Sequence, residues 1–379
     1  MELLNKTKNI IEMGIEAGTH PGAQLCVWRG SRCVVDLAIG CATPASSGSC
    51  QKSLSPDDLT LWLSAGKPIT ALAVAQLVEE GVVDFEDPIV EYVPEFEPHG
   101  KQDVTVRHVL THTGGFRSVV FRYPEQSWEE AVAAVCAGRL ETGWEVGVTA
   151  GYHPHSGWNI LGKVLEVCTG KPLGDHLREA VLEPWGMSGT WVGMPEPVYD
   201  EHAVRLVPVF NTAGSAPRPT EMHERAWVTG QRPGGNVYGP ARDLARFYRG
   251  LLAGGELDGV RLLRPDTVAQ LVSRQRRDTE DRTFRAVMDW GLGLMVNNAR
   301  HDLTNAKTHP VATPYGFGPH AGDDAFGHGG NQASMGFADP AHGLAVAVVF
   351  NGQPGEPKHQ KRMHAVLGAL YEDLGLAGS

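Results

Sequence analysis

A serine and a lysine stand three residues apart in the apolar stretch LTLWLSAGKPITALAVAQLVEEG, residues 59–81. The stretch predicts a helix from about Ser64 to Glu80, ended by Gly81. Because residues i and i+3 share one helix face, the Lys67 amine is expected to meet the Ser64 hydroxyl. The helix is apolar nearly all round, which predicts burial, and burial lowers the pKa of a lysine. A neutral amine beside a serine hydroxyl is the arrangement of an activated nucleophile.

The same two residues have a plainer interpretation, in which Ser64 only caps the helix and Lys67 extends its amine to solvent. A Ser-x-x-Lys spacing also occurs by chance, so its interpretation depends on other segments. Four further segments follow it in the chain, and they are TVRHVLTHTGGF (105–116), AGYHPHSGWNILGKVLEVCTGKPL (150–173), GGNVYGPARDLARF (234–247) and FGHGGNQASMGFADP (326–340).

With these segments in this order, the chain resembles the serine β-lactamase and penicillin-binding-protein superfamily. It is most similar to the class C β-lactamase-like esterases (family VIII carboxylesterases) and related transacylases. The resemblance extends from HPGAQLCVWRG to AVAVVFNG, residues 20–352. It implies a catalyst that acylates Ser64 with a small-molecule ester or amide, assisted by Lys67, without a cofactor or metal. The acyl group would pass to water, or to an amine or alcohol.

The family's second motif, Tyr-x-Asn, corresponds here to the start of GYHPHSGW, so Tyr152 matches and Pro154 replaces the asparagine. The resemblance implies that a Tyr152 phenolate takes the proton of the nucleophile and later passes it to the leaving group. His153 or His155 can supply the missing polar contact. We expect His155 to support the site as a hydrogen-bond donor and His153 to be peripheral. The alternative is an ordinary tyrosine at a helix entry.

The family's third motif, Lys-Thr-Gly in β-lactamases, corresponds here to His328-Gly329-Gly330. The resemblance implies that this strand lines the pocket and that its glycines let substrate approach the backbone. It also implies that the N–H of Asn331 forms an oxyanion hole with the N–H of Ser64. The alternative is a glycine-rich turn before a strand. Loss of the lysine removes the usual partner of a β-lactam carboxylate, so penicillin hydrolysis is not expected.

Several other functions remain open at this point. A β-lactam hydrolase or DD-peptidase would use the same nucleophile, and a non-catalytic receptor would be acylated once and stay acylated. A zinc hydrolase is disfavoured because His108 and His112 lie in HVLTH, which lacks the glutamate of HExxH. Trp62 and Trp158 have two interpretations as well: they line a pocket for a bulky, heteroaromatic substrate, or they belong to the core.

The elements that must position these residues come in the order strands, many helices, strands and helix. A hairpin is predicted around residues 29–31, and two strands are predicted around a turn at residues 339–343. The order predicts an α/β (α+β) fold with an antiparallel sheet from both chain ends, flanked by helices, and an inserted helical lobe. The resemblance implies the same arrangement, the β-lactamase/DD-peptidase-like fold. We expect one catalytic unit over 1–379, with a sheet lobe at about 1–62 and 281–379 and a helical lobe at about 63–280.

The composition excludes some partners. The formal net charge is −11, which argues against nucleic acid or an anionic membrane. Charged residues make up 20% and hydrophobic residues 42% of the chain, as in globular proteins. We find no secretory signal and no apolar run long enough to span a membrane. The six cysteines form no CxxC pair and are expected to be reduced thiols in a cytoplasmic protein. The oligomeric state stays open.

Overall fold

Among the described residues, the main sheet has nine antiparallel strands drawn from both ends of the chain. The structure, a computed structural model, describes residues 4–44, 49–301 and 315–378 of the 379. In chain order the strands are β1 Gly22–Arg29, β2 Arg32–Pro44, β3 Cys50–Ser53, β11 Arg276–Asp281, β12 Ala286–Trp290, β13 Met295–Val296, β14 Phe326–Gly330, β15 Ser334–Asp339 and β16 Leu344–Phe350. Their order in the sheet is β11-β12-β13-β14-β15-β16-β1-β2-β3. The predicted fold class is confirmed.

The two ends of the chain meet where β1 pairs with β16, with Gln24 opposite Val349. Both predicted strand–turn–strand units, β1–β2 and β15–β16, are confirmed. All seven residues of β16 are buried because helices cover both faces of the sheet. Its Ala347 packs in the core shared with the helical lobe, whereas Val346 packs in the core under the C-terminal helix.

Nine α-helices of the described residues lie between β3 and β11, and one more lies near each end of the chain. They are α1 Asn5–Glu16, α2 Lys67–Glu79, α3 Val106–Leu110, α4 Trp128–Ala137, α5 Ser156–Thr169, α6 Leu173–Leu177, α7 Glu196–His202, α8 Arg225–Val228, α9 Ala241–Leu252, α10 Pro265–Val272 and α11 Glu356–Asp373. Short strands join the helical region, namely β4 Thr60–Leu61, β5 Trp191–Val192, β6 Phe210–Asn211, β7 Arg218–Pro219, β8 Val237–Gly239, β9 Glu256–Leu257, β10 Val260–Arg261 and β17 Gly352–Gln353.

Two predicted helix starts differ from the structure. The first turn of the serine–lysine helix is a 3₁₀ turn, Leu63–Gly66, and the α-helix begins at Lys67. The helix expected to be opened by Ser156 has His155 at its N-cap and no side-chain capping bond. Ser156 is instead the first helical residue, and its hydroxyl is buried. Local capping rules fail here because the loop conformation is fixed by tertiary contacts.

The segment expected to be helical over 105–116 is helical only over α3. His112 has a left-handed backbone with φ of 61°, which ends the helical path two residues after Leu110. The carbonyl of His112 then accepts a hydrogen bond from the N–H of Gly151. This contact brings the turn after α3 against the loop that carries the predicted tyrosine.

The prediction that all cysteines are reduced is wrong, because Cys41 and Cys50 form a disulfide. Strands β2 and β3 pair in antiparallel register and bring the two Cα atoms to 5.6 Å, within the range of a disulfide. The other cysteines are free thiols. The cytoplasmic location rested on the lack of a recognisable export signal and stays a prediction. Among the helices of the described residues, none has the length and apolarity needed to cross a membrane.

Candidate active site

The Lys67 amine lies 2.8 Å from the Ser64 hydroxyl oxygen, as the spacing predicted. It also donates to the carbonyl of Gly234, and its nitrogen lies 5.3 Å from the ring centre of Tyr152 and 5.7 Å from that of Trp158. Lys67 is fully buried, and burial holds its pKa well below the usual range. An uncharged amine at this position can accept a proton from the serine.

The backbone before the nucleophile is unusual. Leu63 has φ of 53°, a left-handed conformation that is rare outside glycine and that marks local strain. Leu63 begins a 3₁₀ turn that ends at Gly66, and Gly66 packs directly on Val237. A Cβ at Gly66 would lie 2.3 Å from a methyl carbon of that valine. The turn therefore needs glycine at this point. Ser64 remains partly exposed while Lys67 behind it is buried, which suits a nucleophile.

Tyr152 reaches the same site from the loop before α5. Its hydroxyl is hydrogen-bonded to Ser64, yet burial raises its pKa above the ordinary value. The raised pKa goes against the phenolate form expected from the sequence and favours a protonated hydroxyl. With the Lys67 pKa lowered and the Tyr152 pKa raised, the amine is the stronger candidate for the base, and the tyrosine can relay a proton.

The backbone on both sides of Tyr152 is held by strand β11 and the residues after it. Its N–H donates to a carboxylate oxygen of Asp281 at 3.0 Å, and its carbonyl accepts from the hydroxyl of Thr283 at 3.0 Å. Asp281 is fully buried and forms a 3.0 Å ion pair with Arg276. The guanidinium of Arg276 also donates to the carbonyl of Thr111 at 2.9 Å. This buried ion pair links the sheet, the turn after α3 and the tyrosine loop.

The four histidines of the segments TVRHVLTHTGGF and GYHPHSGW lie in different surroundings. His108 completes a capping box with Thr105 at the start of α3. His112 packs its ring 4.7 Å from that of Tyr152 and accepts from the N–H of His153 at 3.2 Å. Burial lowers the pKa of His153 to about 3, and its Nε2 accepts from a backbone N–H. Both HVLTH histidines are therefore engaged in structural contacts.

His155 is the N-cap residue of α5. Burial lowers its pKa to about 3, so the ring is neutral. It packs on the loop that receives the amine, since a Cβ at Gly234 would lie 3.2 Å from the His155 Cα. Its supporting role stays a prediction.

Strand β14 forms the other side of the site. His328 is 2% exposed, and its ring centre lies 5.8 Å from that of Tyr152. Burial lowers its pKa to about 3. The Nδ1 of this neutral ring lies 2.7 Å from the carbonyl oxygen of Gly329 and must donate to it. The other nitrogen, Nε2, is therefore an acceptor, whereas a lysine would be a cationic donor.

The end of β14 packs directly on the residues before the nucleophile. A Cβ at Gly330 would lie 2.2 Å from the carbonyl oxygen of Trp62, so only glycine fits. Asn331 follows and is exposed, and its carbonyl accepts from Gln353 at 3.0 Å. Gly330 thus lies against the residue two positions before Ser64, and the role of the Asn331 N–H in an oxyanion hole stays a prediction.

The structure gives Trp62 and Trp158 different surroundings. Trp62 is fully buried, and its indole N–H donates to the carbonyl of Gly239 at 2.9 Å. Trp158 is also buried but lies beside the Lys67 amine. Sequence reasoning missed the carbonyl of Gly234 and the carboxylate of Asp281. Gly234 lies in one of the family motifs, at the start of GGNVYG. The role of its carbonyl could not be predicted, because every residue type has the same backbone carbonyl.

Residues 7–371 match the sequence model of the protein family described as Beta-lactamase. The chain belongs to the β-lactamase family. The esterase/β-lactamase LipL of Mycobacterium tuberculosis is 27% identical, with 87% of this chain and 77% of LipL covered. Esterase EstB of Burkholderia gladioli is also 27% identical, with 79% of each chain covered.

Solved structures agree with this family membership. A family VIII carboxylesterase is 26% identical and superposes with a TM-score of 0.78, covering 98% of this chain and 97% of the other. A penicillin-binding-protein homologue from Caulobacter crescentus is 26% identical, with a TM-score of 0.75 and 97% of each chain covered. The resemblance inferred from the motifs is confirmed: the chain is a β-lactamase-fold member of a serine hydrolase family with esterase relatives.

Proposed function

We propose that the protein is a serine esterase that forms an acyl-enzyme on Ser64. The observation that carries this proposal is the 2.8 Å contact between the buried Lys67 amine and the Ser64 hydroxyl. The esterase relatives support an ester as the acyl donor. The protein would act on a small molecule and would need no metal or cofactor.

Acylation would proceed in two proton transfers. The uncharged amine of Lys67 takes the hydroxyl proton while the Ser64 oxygen attacks the ester carbonyl carbon. The negative charge that develops on the carbonyl oxygen would face the N–H groups of Ser64 and Asn331. The bond to the alcohol then breaks, and the alcohol oxygen takes the proton from the Lys67 ammonium, directly or through the Tyr152 hydroxyl.

Deacylation would reverse these roles. An acceptor (water, an amine or an alcohol) gives its proton to the Lys67 amine and attacks the acyl carbon. The serine oxygen leaves and recovers that proton. Water gives an esterase, and an amine or alcohol gives a transacylase. Incubation of the protein with an ester, with and without added amine or alcohol, separates the two by the ratio of free acid to transfer product.

The environment of His328 disfavours a β-lactam or a peptide carboxylate as the preferred substrate. Its ring is neutral, and its free nitrogen accepts hydrogen bonds, so it offers a carboxylate neither charge nor a donor. A carboxylate there would meet an acceptor lone pair. This supports ester turnover over β-lactam hydrolysis or DD-peptidase activity.

The direct test is covalent labelling of Ser64. A fluorophosphonate should add one phosphonyl group to the intact protein, peptide mapping should place it on Ser64, and Ser64→Ala should not be labelled. A p-nitrophenyl ester should give a burst of p-nitrophenol and free acid in repeated turnovers. Labelling that persists in Ser64→Ala would refute the nucleophile. Acylation without turnover of any ester would instead favour a receptor.

A further inference from the structure

A row of aromatic side chains runs outward from the loop that holds the catalytic amine. We call His155, Phe121, Tyr123 and Trp227 the aromatic wall. The His155 ring centre lies 5.8 Å from that of Phe121 and 5.7 Å from that of Tyr123, which stack on each other at 5.2 Å. Trp227 meets Tyr123 edge-on at 6.3 Å. Contacts of this kind are typical of stable aromatic clusters.

The aromatic wall begins beside the reacting serine. The carbonyl of Gly234 accepts hydrogen bonds from Lys67 and, at 3.4 Å, from the Ser64 hydroxyl. A Cβ placed on the next residue, Gly235, would lie 3.5 Å from the Cε1 of His155. One short loop therefore contacts the nucleophile on one side and the first ring of the wall on the other.

Each member of the aromatic wall is partly exposed, in contrast to the fully buried Trp62 and Trp158 nearby. Burial of aromatic rings is strongly favourable. A contiguous group of partly exposed rings therefore indicates a binding surface, whereas single exposed rings do not. Ligand sites are lined by such rings with a few polar groups at their centre. The wall has this composition, with Ser64 and Lys67 at its inner end.

A buried arginine holds the outer rings in place. The guanidinium of Arg232 lies 4.6 Å from the ring of Tyr123 and 4.7 Å from that of Trp227, and it donates to the Trp227 carbonyl at 2.8 Å. The side-chain amide of Asn159 donates to the Tyr123 hydroxyl at 2.9 Å. Rings fixed before binding lose little freedom when a ligand packs on them. Because Arg232 is 3% exposed, its guanidinium supports the rings from within the protein and is not presented to a ligand.

We propose that the aromatic wall is a substrate subsite that binds an aromatic ring carried by the ester, in either its acyl or its alcohol half. The inference rests on the function proposed above and adds the substrate class. It predicts a preference for aryl-bearing esters over small aliphatic ones.

The test uses four esters that place a phenyl ring in neither half, one half or both: ethyl acetate, benzyl acetate, ethyl phenylacetate and benzyl phenylacetate. Released acid, titrated at constant pH, gives kcat/KM for each. A ring in one half should raise kcat/KM, and the ester that benefits identifies the half. The aromatic-to-aliphatic ratio is kcat/KM for the preferred aryl ester divided by kcat/KM for ethyl acetate. Trp227→Leu and Tyr123→Leu should each lower this ratio by about 3- to 10-fold, as expected for loss of one aromatic contact. Tyr123→Phe, which keeps the ring, should retain the ratio.

Trp28→Leu is the matched control. Trp28 is also half-buried and stacked by an arginine, since Arg249 lies 4.4 Å from its ring. Trp28 pairs with Ala345 of β16, which is in register with Phe326 of β14. Trp28 therefore lies three strands away from β14 and four residues along the strand direction from Gly330. This variant should leave the ratio unchanged. Equal ratios in wild type, Trp227→Leu and Tyr123→Leu would overturn the subsite.

A binding measurement separates failure of the subsite from failure of the proposed function. In a Ser64→Ala background, at least one of benzyl acetate and ethyl phenylacetate should show saturation-transfer NMR contacts that ethyl acetate lacks, and added Trp227→Leu should weaken them. If fluorophosphonate fails to label wild-type protein but this binding preference is present, the function falls and the subsite stands. If labelling succeeds and the preference is absent, the subsite falls and the function stands.

Discussion

Replacement of Lys67 distinguishes a catalytic base from a structural lysine. Lys67→Met keeps an unbranched apolar chain as far as Cε and removes the nitrogen, which contacts the Ser64 hydroxyl and the Gly234 carbonyl. If the amine is the base, acylation should slow by about 10²- to 10⁴-fold, the span of a positioned acid–base group. If it only holds these groups, the loss is about that of two hydrogen bonds, roughly 1–3 kcal/mol, or about 5- to 160-fold. A loss beyond about 200-fold therefore identifies a base.

The assay is single-turnover acylation by a p-nitrophenyl ester, followed by stopped-flow release of p-nitrophenol. Lys67→Arg provides the second variant, because a guanidinium can donate to the same partners but does not give up its proton in proteins. It should be as slow as Lys67→Met. Urea unfolding should show both variants folded, since loss of the amine leaves one acceptor unpaired but also removes a buried polar group. A rate within about 10-fold of wild type in folded Lys67→Met would refute the role as base.

The pH profile of wild-type acylation tests the same reasoning. Burial lowers the pKa of Lys67 from an ordinary value of 10.5. The reactive form is the neutral amine, which is present above that pKa, so the rate should rise with pH and level off well below pH 10.5. The rising limb should be absent from the residual rate of Lys67→Met. A wild-type rate that still rises beyond pH 10 would show an ordinary lysine.

Three further predictions concern the residues around the amine. Tyr152→Phe should lower the acylation rate by at least about 10-fold with an unchanged circular dichroism spectrum. His155→Ala should lower the rate more than His153→Ala does. If Tyr152→Phe acylates at the wild-type rate and His153→Ala loses more activity than His155→Ala, the proton transfer belongs to an imidazole. His328→Lys should raise nitrocefin turnover relative to ester turnover, because it supplies the cation that a β-lactam carboxylate needs; an unchanged ratio would show that this cation is not limiting. Asp281→Ala strands a buried guanidinium and should lower the free energy of unfolding in urea by about 3–5 kcal/mol; a loss under about 1 kcal/mol would contradict the proposed link.

The sequence by itself determined the local pairing of Ser64 and Lys67, because i and i+3 spacing in an apolar helix needs no distant partner. It also determined the β1–β2 and β15–β16 pairs, whose turns and alternating strands are local signals. Five motifs in order were sufficient for the family and fold. The position of Tyr152 beside the serine was inferred only through the resemblance, since 88 residues (152 − 64) separate the two in the chain.

The tertiary structure decided which groups surround those residues and therefore what state they are in. Burial lowers the Lys67 pKa and raises that of Tyr152, which moves the candidate base from the expected phenolate to the amine. The Gly234 carbonyl reaches the lysine across 167 residues. The disulfide between Cys41 and Cys50 depends on the register of two paired strands. Composition gives no signal for any of these, because desolvation and register depend on which distant segments pack together.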